Sequence, residues 1–204
     1  MSVERVYIVD DDPDVRQATS FLVATAGYAT VALEGAEALL TAISAETAGC
    51  LVLDVRLPGM DGLQLQRELR RRGVRLPIVF ITGHGDIPMA VEAISEGALD
   101  FLEKPFGAET LLRRVAEALE RDRQRREQQR SAAALEARLA QLTPREHQVM
   151  EGILAGKLNK VIGYELGMST RTVEVHRARL LDKLGARNAS ELVRMVLTGE
   201  GQSL

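Results

Sequence analysis

Residues 50–62 read CLVLDVRLPGMDG in one-letter code, and this segment is the most informative about the fold. Four apolar residues lead to Asp54, and a loop containing Pro and Gly follows, a pattern typical of a buried strand that ends at a turn. Because the apolar run is not interrupted by polar residues, it favours a strand covered on both faces, as in a parallel sheet. The single cysteine, Cys50, opens this run, and we interpret it as a small buried apolar side chain with no internal disulfide partner.

Short apolar runs alternate with segments of helical period throughout residues 1–119. The strands are predicted at Val6–Val9, Thr30–Leu33, Cys50–Leu53, Ile78–Ile81 and Leu99–Leu102, and the helices at Val15–Ala26, Ala36–Ile43, Leu63–Leu69, Met89–Ile94 and Leu111–Leu119. Strands that alternate with helices indicate a parallel sheet with helices on both faces. We therefore predict an α/β, doubly wound (βα)5 domain with sheet order 2-1-3-4-5 over residues 1–119.

The formal net charge of −3 hides an asymmetry along the chain. Residues 1–119 carry −7, whereas residues 120–141 and residues 142–204 each carry +2. The acidic part favours a cation as its partner, and the mildly basic part favours a polyanion. No apolar stretch approaches the roughly 20 residues that span a bilayer, and the first residues do not resemble a secretory signal. We expect a cytoplasmic protein with no membrane partner.

The remainder of the chain is predicted to be helical. Residues 120–141 contain no Gly or Pro and form the predicted helical linker, either a solvated spacer helix or a short coiled coil through Leu135, Leu139 and Leu142. Residues 142–204 are predicted to form an all-α domain of four helices. The first begins with a capping box from Thr143 to Glu146, and the turn at residues 167–169 separates two helices, which predicts a helix-turn-helix.

Polar residues follow four of the predicted strands. Asp10 and Asp11 follow the first strand, Asp54 the third, Thr82 the fourth and Lys104 the fifth. In a doubly wound sheet these positions meet at one edge, where the carboxylates repel one another unless a cation neutralises them. Mg²⁺ suits such a set of oxygens. A carboxylate beside Mg²⁺, Lys and Thr is suited to accept a phosphoryl group, since phosphoryl transfer depends mainly on positioning and charge neutralisation.

Four motifs in this part, which read VDDD at residues 9–12, LDVRLPGMDG at 53–62, ITGHG at 81–85 and KPF at 104–106, resemble the receiver domain of two-component response regulators. The resemblance covers residues 4 to about 120. It implies that a sensor histidine kinase phosphorylates Asp54. It also implies that Asp10, Asp11, Asp54 and the main-chain carbonyl of Arg56 bind Mg²⁺, and that the peptide bond before Pro105 is cis.

The same resemblance implies a switch. Thr82 moves towards the phosphoryl group while Phe101 turns inward, and the face formed by the fourth helix and fifth strand changes. Simple core packing is the alternative role for Phe101. Arg56 and His84 lie at positions where family members vary, and we expect them to tune dephosphorylation, in a direction that the sequence does not give.

The segments LTPRE at residues 142–146, NKVI at 159–162 and TVEVHR at 172–177 resemble the output domains of the NarL/FixJ (LuxR-type) class, and the whole chain is most similar to FixJ-like regulators. In that class, the positions of Glu174, Val175 and Ala178 read DNA bases. The residues expected mainly to contact phosphate are Arg171, Thr172, Arg177, Arg179 and Lys183. Gly163 departs from the class, which usually has Ala at this helical position.

The resemblance implies a transcription regulator that binds a double-stranded DNA operator and, if it is an activator, contacts RNA polymerase. Phosphorylation is expected either to favour a homodimer that binds the operator or to relieve inhibition of the output domain by the receiver. An Asp-based phosphohydrolase of the haloacid-dehalogenase type is the enzymatic alternative. Such enzymes carry a second Asp two residues after the nucleophile, where this chain has Arg56. We expect self-dephosphorylation but no turnover of an external substrate. A DNA binder with a degenerate receiver and a protein-binding output module are further alternatives, and salt-dependent binding to duplex DNA separates the latter from the main hypothesis.

Overall fold

The computed structural model describes residues 3–83 and 87–198 of the chain. The chain divides into two compact units, residues 1–124 and residues 125–204. Within the described residues, every helix is too short or too polar to cross a membrane.

The first unit is built on a parallel five-stranded sheet. Its strands are β1 (Arg5–Val9), β2 (Thr30–Leu33), β3 (Gly49–Asp54), β4 (Ile78–Thr82) and β5 (Asp100–Glu103). Its helices are α1 (Pro13–Thr25), α2 (Ala36–Ala42), α3 (Gly62–Arg71), α4 (Ile87–Ser95) and the first part of α5 (Ala108–Leu139). The order of the strands is β2-β1-β3-β4-β5, with every neighbouring pair parallel. The predicted (βα)5 fold and sheet order are confirmed, and β5 begins one residue later than the sequence suggested.

Helices cover both faces of the sheet, which explains why its central strands are uninterrupted apolar runs. Val6 and Ile8 pack with α1 and α5 on one face, whereas Tyr7 and Val9 pack with α2, α3 and α4 on the other. Cys50 is fully buried among the first group, and this burial raises the pKa of its thiol to about 12. The thiol is therefore protonated at neutral pH and contributes as an apolar side chain.

Helix α5 runs without interruption from Ala108 to Leu139, so it contains both the predicted last helix of the first domain and most of the predicted linker. Asp122 is fully buried and accepts a hydrogen bond from the N–H of Gly49 at 3.0 Å. Within the second unit, Leu135 and Leu142 are buried in the core and Leu139 packs against it. The leucine pattern of the linker thus serves the core of residues 125–204 in this structure.

The second unit contains the end of α5 and four further helices, α6 (Pro144–Leu154), α7 (Asn159–Leu166), α8 (Thr170–Leu184) and α9 (Ala189–Thr198). The predicted capping box is present, because Thr143 Oγ1 accepts from the N–H of Glu146 and Glu146 Oε2 accepts from the N–H of Thr143. Gly167 ends α7 in the left-handed region, with a φ of 65°, and the chain turns there into α8. The predicted four-helix unit with its helix-turn-helix is confirmed.

Candidate functional site

The candidate site of the first unit lies at the carboxyl edge of the sheet. Asp54 is the last residue of β3 and Thr82 the last residue of β4, while Asp10 follows β1 directly. The β3–α3 loop packs closely on this edge, because a Cβ atom added to Gly62 would lie 2.5 Å from the main-chain oxygen of Asp54. Glycine at residue 62 is therefore required for the loop to approach the end of β3.

The three predicted carboxylates converge as the sheet topology requires. One carboxylate oxygen from each of Asp10, Asp11 and Asp54 lies within 4.8 Å of the others. Asp10 is fully buried and Asp54 is 6% exposed, whereas Asp11 is exposed. Lys104 Nζ donates to Asp10 Oδ2 and to Asp54 Oδ2, both at 2.7 Å. One ammonium group thus bridges two largely buried carboxylates and offsets part of their charge.

The pKa of Asp10 is raised, mainly because burial removes its carboxylate from water and also because the negative charge of Asp54 is close. The hydrogen bond and charge of Lys104 lower the pKa of Asp10, but by less. Burial alone lowers the pKa of Lys104, but its hydrogen bonds to Asp10 and Asp54 and their charges raise it by more, so the net direction is upward. Lys104 is therefore cationic at neutral pH, and the site still carries more negative than positive charge.

Main-chain groups orient the carboxylates. The N–H of Asp12 donates to Asp10 Oδ1 at 3.0 Å, and the N–H of Arg56 donates to Asp54 Oδ1 at 3.0 Å. Arg16 of α1, which the sequence did not single out, donates from Nη1 to the carbonyl oxygens of Asp10 and Asp11 at 2.7 and 3.2 Å. Arg16 thereby supports the β1–α1 loop. The one sequence feature that could have indicated this role is the position of Arg16 in the first turn of the first helix.

The donor set fits a hard divalent cation. Three carboxylates of mixed burial, one of them exposed, provide oxygen ligands and leave one side open to water, as Mg²⁺ prefers. The main-chain N–H of Arg56 is bonded to Asp54, and the role expected for the Arg56 carbonyl in binding the cation stays a prediction. The residues present therefore fit a magnesium site at this edge.

The predicted switch residues flank the acidic group. Thr82 is fully buried at the end of β4. Phe101 is partly buried on β5 and packs against the core, with its ring centroid 6.4 Å from that of Phe80. The peptide bond between Lys104 and Pro105 is cis, as expected. His84 lies outside the described residues.

Helix α8 of the second unit carries most of the predicted DNA-binding residues on its exposed surface. Its buried positions are Val173, Leu180 and Leu184. The exposed residues of the predicted set are Arg171, Thr172, Glu174, Val175, Ala178 and Arg179. Positions 171, 174, 175 and 178 follow the i, i+3, i+4, i+7 spacing, so they share one helix face. Arg171 and Arg179 make no hydrogen bond or ion pair with the described part of the chain.

Two predicted cations of α8 have intramolecular partners. Arg177 Nη1 donates to Asn159 Oδ1 at 3.1 Å and so links α8 to the start of α7. Lys183 Nζ donates to Glu146 Oε2 at 2.6 Å and to the carbonyl oxygen of Gln141 at 3.1 Å. Because Glu146 is only 3% exposed, Lys183 compensates a buried charge of the fold. Thr172 is also engaged, since its hydroxyl lies 2.8 Å from that of the cap residue Ser169.

Comparison with known proteins assigns a family to each unit. Residues 6–116 match the family described as the response regulator receiver domain. Residues 140–196 match the family described as bacterial regulatory proteins of the luxR family. The first match covers the whole acidic site, and the second covers helices α6 to α8 and most of α9.

Relatives match over nearly the full length of the chain. Nodulation protein W of Bradyrhizobium diazoefficiens is 45% identical over 190 residues, which cover 93% of this chain and 84% of the relative. The transcriptional regulatory protein FixJ of the same organism is 42% identical over 192 residues, with 94% of each chain covered.

Solved structures agree. The response regulator StyR superposes with a TM-score of 0.87 at 40% identity, covering 96% of this chain and 99% of that one. Full-length FixJ from B. japonicum superposes with a TM-score of 0.60 at 40% identity, covering 98% of each chain. The chain therefore belongs to the NarL/FixJ family of two-component response regulators, transcription regulators that join a receiver domain to a LuxR-type helix-turn-helix domain.

Proposed function

We propose that Asp54 accepts a phosphoryl group from a sensor histidine kinase and that this modification controls DNA binding by the second unit. The observation that carries the proposal is the convergence of three carboxylates within 4.8 Å at the carboxyl edge of the sheet, with Lys104 bonded to two of them. An acidic cluster with a positioned ammonium group is suited to neutralise charge on a transferring phosphoryl group.

In the transfer, a carboxylate oxygen of Asp54 attacks phosphorus while the bond from phosphorus to the histidine nitrogen of the kinase breaks. Bound Mg²⁺ would be held by Asp10, Asp11, Asp54 and the Arg56 carbonyl, and it would supply positive charge to the phosphoryl oxygens. Lys104 would stabilise the same charge, and the Thr82 hydroxyl would hydrogen-bond a phosphoryl oxygen after Thr82 moves towards it. The residues of the chain position the phosphoryl group and neutralise its charge, and none needs to act as a general base.

The product is a modified regulator rather than a released metabolite. Arg56 stands where a phosphohydrolase of the haloacid-dehalogenase type has its second Asp, so the site lacks the acid that such enzymes use on an external substrate. Hydrolysis of the Asp54 acyl phosphate by water then returns the protein to its starting state. Arg56 and His84, which lie two positions after the acceptor and after Thr82, would tune its rate.

Phosphorylation would act on the second unit through the face of α4 and β5. Movement of Thr82 towards the phosphoryl group vacates space that Phe101, now packed 6.4 Å from Phe80, can occupy. The altered face would favour a homodimer, and two output modules would then bind a two-fold DNA operator together. RNA polymerase would be a further partner if the protein activates genes. These DNA-directed roles belong to the bacterial cytoplasm.

The exposed face of α8 is the surface proposed to enter the major groove. Arg171 and Arg179 are the proposed phosphate ligands, and Glu174, Val175 and Ala178 lie on the face towards base edges. Thr172 acts with Ser169 at the helix start, where unpaired main-chain N–H groups also favour phosphate. Lys183 is assigned to the positioning of α6 rather than to DNA, because its ammonium group is bonded to Glu146 and to the Gln141 carbonyl. Arg177 uses Nη1 to hold Asn159 at the start of α7, and its other guanidinium N–H groups are proposed to contact phosphate.

The test is phosphorylation of the full chain with acetyl phosphate and Mg²⁺, followed by intact mass spectrometry. We expect one added phosphoryl group in the wild type and none in Asp54→Asn. Asp12→Asn is the matched control, because Asp12 only caps α1 and Asn caps a helix equally well. Phosphorylation of Asp54→Asn at the wild-type level would overturn the assignment of the acceptor.

A further inference from the structure

A second candidate site lies at the opposite end of the same sheet. A cavity of about 480 Å³ opens where α3 and α4 end and β4 begins, and it is lined in part by Gly73, Ile78 and Gly97. Asp54 and Thr82 end their strands at the other edge, so the cavity is separate from the phosphoacceptor site. Its volume falls within the range of roughly 300–1,000 Å³ that is typical of small-molecule sites.

The lining of the cavity combines an apolar base with three cations. Val74 and Leu76 are 7% and 6% exposed and supply apolar surface, with Leu69 and Leu99 beside them. The cations are Arg70, Arg75 and Arg121. The gathering of three guanidinium groups contrasts with the acidic character of the unit, since residues 1–124 carry a net charge of −7.

The existing contacts leave most of this positive charge uncompensated. Glu96 is the only acidic lining residue among those described, and its carboxylate is bonded to Nε of Arg67 at 2.8 Å. Arg70 donates to the main-chain oxygen of Glu96 and not to a carboxylate. Among the described residues, Arg121 pairs with Glu117 at 3.2 Å and with no other acid. Both side chains are more than a third exposed, so this pair holds Arg121 weakly. Arg75 is exposed and makes no hydrogen bond or ion pair with the described residues.

One wall of the cavity is held in place by a buried amide. Gln66 on α3 is 5% exposed, and its Nε2 donates to the carbonyl oxygens of Ala93 and Glu96 at 3.2 and 3.1 Å. These bonds tie α3 to the end of α4 across the cavity. A wall that is already ordered reduces the conformational entropy that a ligand must overcome on binding.

We propose that this cavity binds a small organic anion, with an apolar body against Val74 and Leu76 and a phosphate or carboxylate group among Arg70, Arg75 and Arg121. Guanidinium groups match the planar and tetrahedral oxyanions of carboxylates and phosphates through paired hydrogen bonds. Arg75 is the main determinant, because its guanidinium is the one of the three that makes no hydrogen bond or ion pair with the described residues.

The experiment is a titration of the ¹⁵N-labelled full chain by NMR, in EDTA so that the acidic edge holds no cation. The probes are phenyl phosphate, benzoate and the neutral benzyl alcohol, and the readout is the amide signals of Gly73 and Gly97, which line the cavity. Arg75→Ala is the test variant. Arg113→Ala is the matched control, because Arg113 is an exposed, unengaged arginine of the same unit that lies outside the cavity.

We expect at least one of the two anions to shift both glycine signals saturably, with an affinity that falls about tenfold in Arg75→Ala and is unchanged in Arg113→Ala. The anion that binds with the higher affinity, phenyl phosphate or benzoate, identifies phosphate or carboxylate as the preferred group. Equal binding of benzyl alcohol, or an Arg75→Ala variant that binds like the wild type, would overturn the assignment of an anion. Unmoved glycine signals at millimolar concentrations of all three probes would overturn the site itself.

Discussion

In the first unit, the functional side chains come from the ends of two strands and from the loops that follow two others, and they meet because parallel strands end at one edge. In the second unit, the proposed DNA-facing residues come from a single helix and are adjacent because of its 3.6-residue period. The acidic edge concentrates charge that the fold leaves only partly compensated. Helix α8 instead contains cations of two kinds, those engaged inside the unit, such as Lys183, and those free of partners among the described residues, such as Arg171.

Residue type is therefore a better guide to function at the carboxyl edge of a parallel sheet than on the surface of a helix. Carboxylates crowded at one edge repel one another, and this repulsion destabilises the fold unless a cation neutralises it. Such a cluster therefore points to a functional site. An arginine or lysine on a helix can serve either the fold or a ligand, and only its partners in three dimensions separate the two roles.

The largest effect is expected from Lys104→Met. This variant removes the ammonium group from between Asp10 and Asp54, so phosphorylation by acetyl phosphate should slow by roughly 100-fold or more. The first unit should also lose stability, because a fully buried carboxylate is left without its partner. Mg²⁺ should restore more stability to the variant than it adds to the wild type, as measured by urea unfolding with and without the ion. Equal Mg²⁺ stabilisation of both proteins would contradict the proposed charge balance.

The second prediction concerns the buried acid of the output unit. Glu146→Ala removes both a capping bond and the partner of Lys183, and should destabilise residues 125–204 by roughly 2 kcal/mol. Lys183→Met should cost a similar amount, and the double variant should cost less than the sum of the two. Chemical unfolding of the four proteins as a double-mutant cycle measures this coupling. Additive costs would show that the two side chains do not stabilise each other.

The third prediction is a pH dependence of the same unit. The hydrogen bond from Lys183, followed by the main-chain bond from Thr143, lowers the pKa of Glu146 from 4.5 to about 2. A lowered pKa in the folded state means that this stabilisation is complete above pH 4.5 and is lost as the pH falls towards 2. Glu146→Gln should therefore show a smaller loss of stability over that interval than the wild type, measured by unfolding at a series of pH values. Parallel curves for the two proteins would exclude the shift.

The smallest effect distinguishes the two kinds of cation on α8. Arg171→Ala should weaken binding to duplex DNA and reduce the slope of log affinity against log salt by about one unit. Lys183→Met should leave that slope unchanged while lowering stability. Fluorescence anisotropy across a salt series, at a temperature where both variants are folded, provides the measurement. A reduced slope for Lys183→Met would show instead that Lys183 contacts DNA phosphate.

Much of the first unit could be predicted from the sequence, because its strands and helices have local sequence patterns and the topology of a parallel sheet then determines which residues meet. The apolar run from Cys50 to Leu53 specifies a doubly covered strand, and βα alternation brings Asp10, Asp54 and Lys104 to one edge. The supporting role of Arg16 could not be predicted, because its donation to the carbonyls of Asp10 and Asp11 depends on how the loop folds back over α1.

The second unit was predictable in its elements but less so in the roles of its residues. The capping box at Thr143 and the turn at Gly167 are local motifs, and both are present. The partner of Lys183 lies 37 positions away in sequence, on another helix, which no local pattern reveals. Gly163 is explained only by packing, since a Cβ atom there would lie 2.7 Å from the main-chain oxygen of Met168.

The central claim is that the state of Asp54 controls DNA binding, and the most direct test measures both in one assay. A duplex selected from a random pool by the full chain would be titrated by anisotropy with Mg²⁺, in the presence and absence of the phosphoryl mimic beryllofluoride. Light scattering on the same samples would report the oligomeric state. We predict that beryllofluoride strengthens binding and favours a dimer in the wild type, and that both effects vanish in Asp54→Asn. Identical affinity with and without beryllofluoride in the wild type would contradict the account.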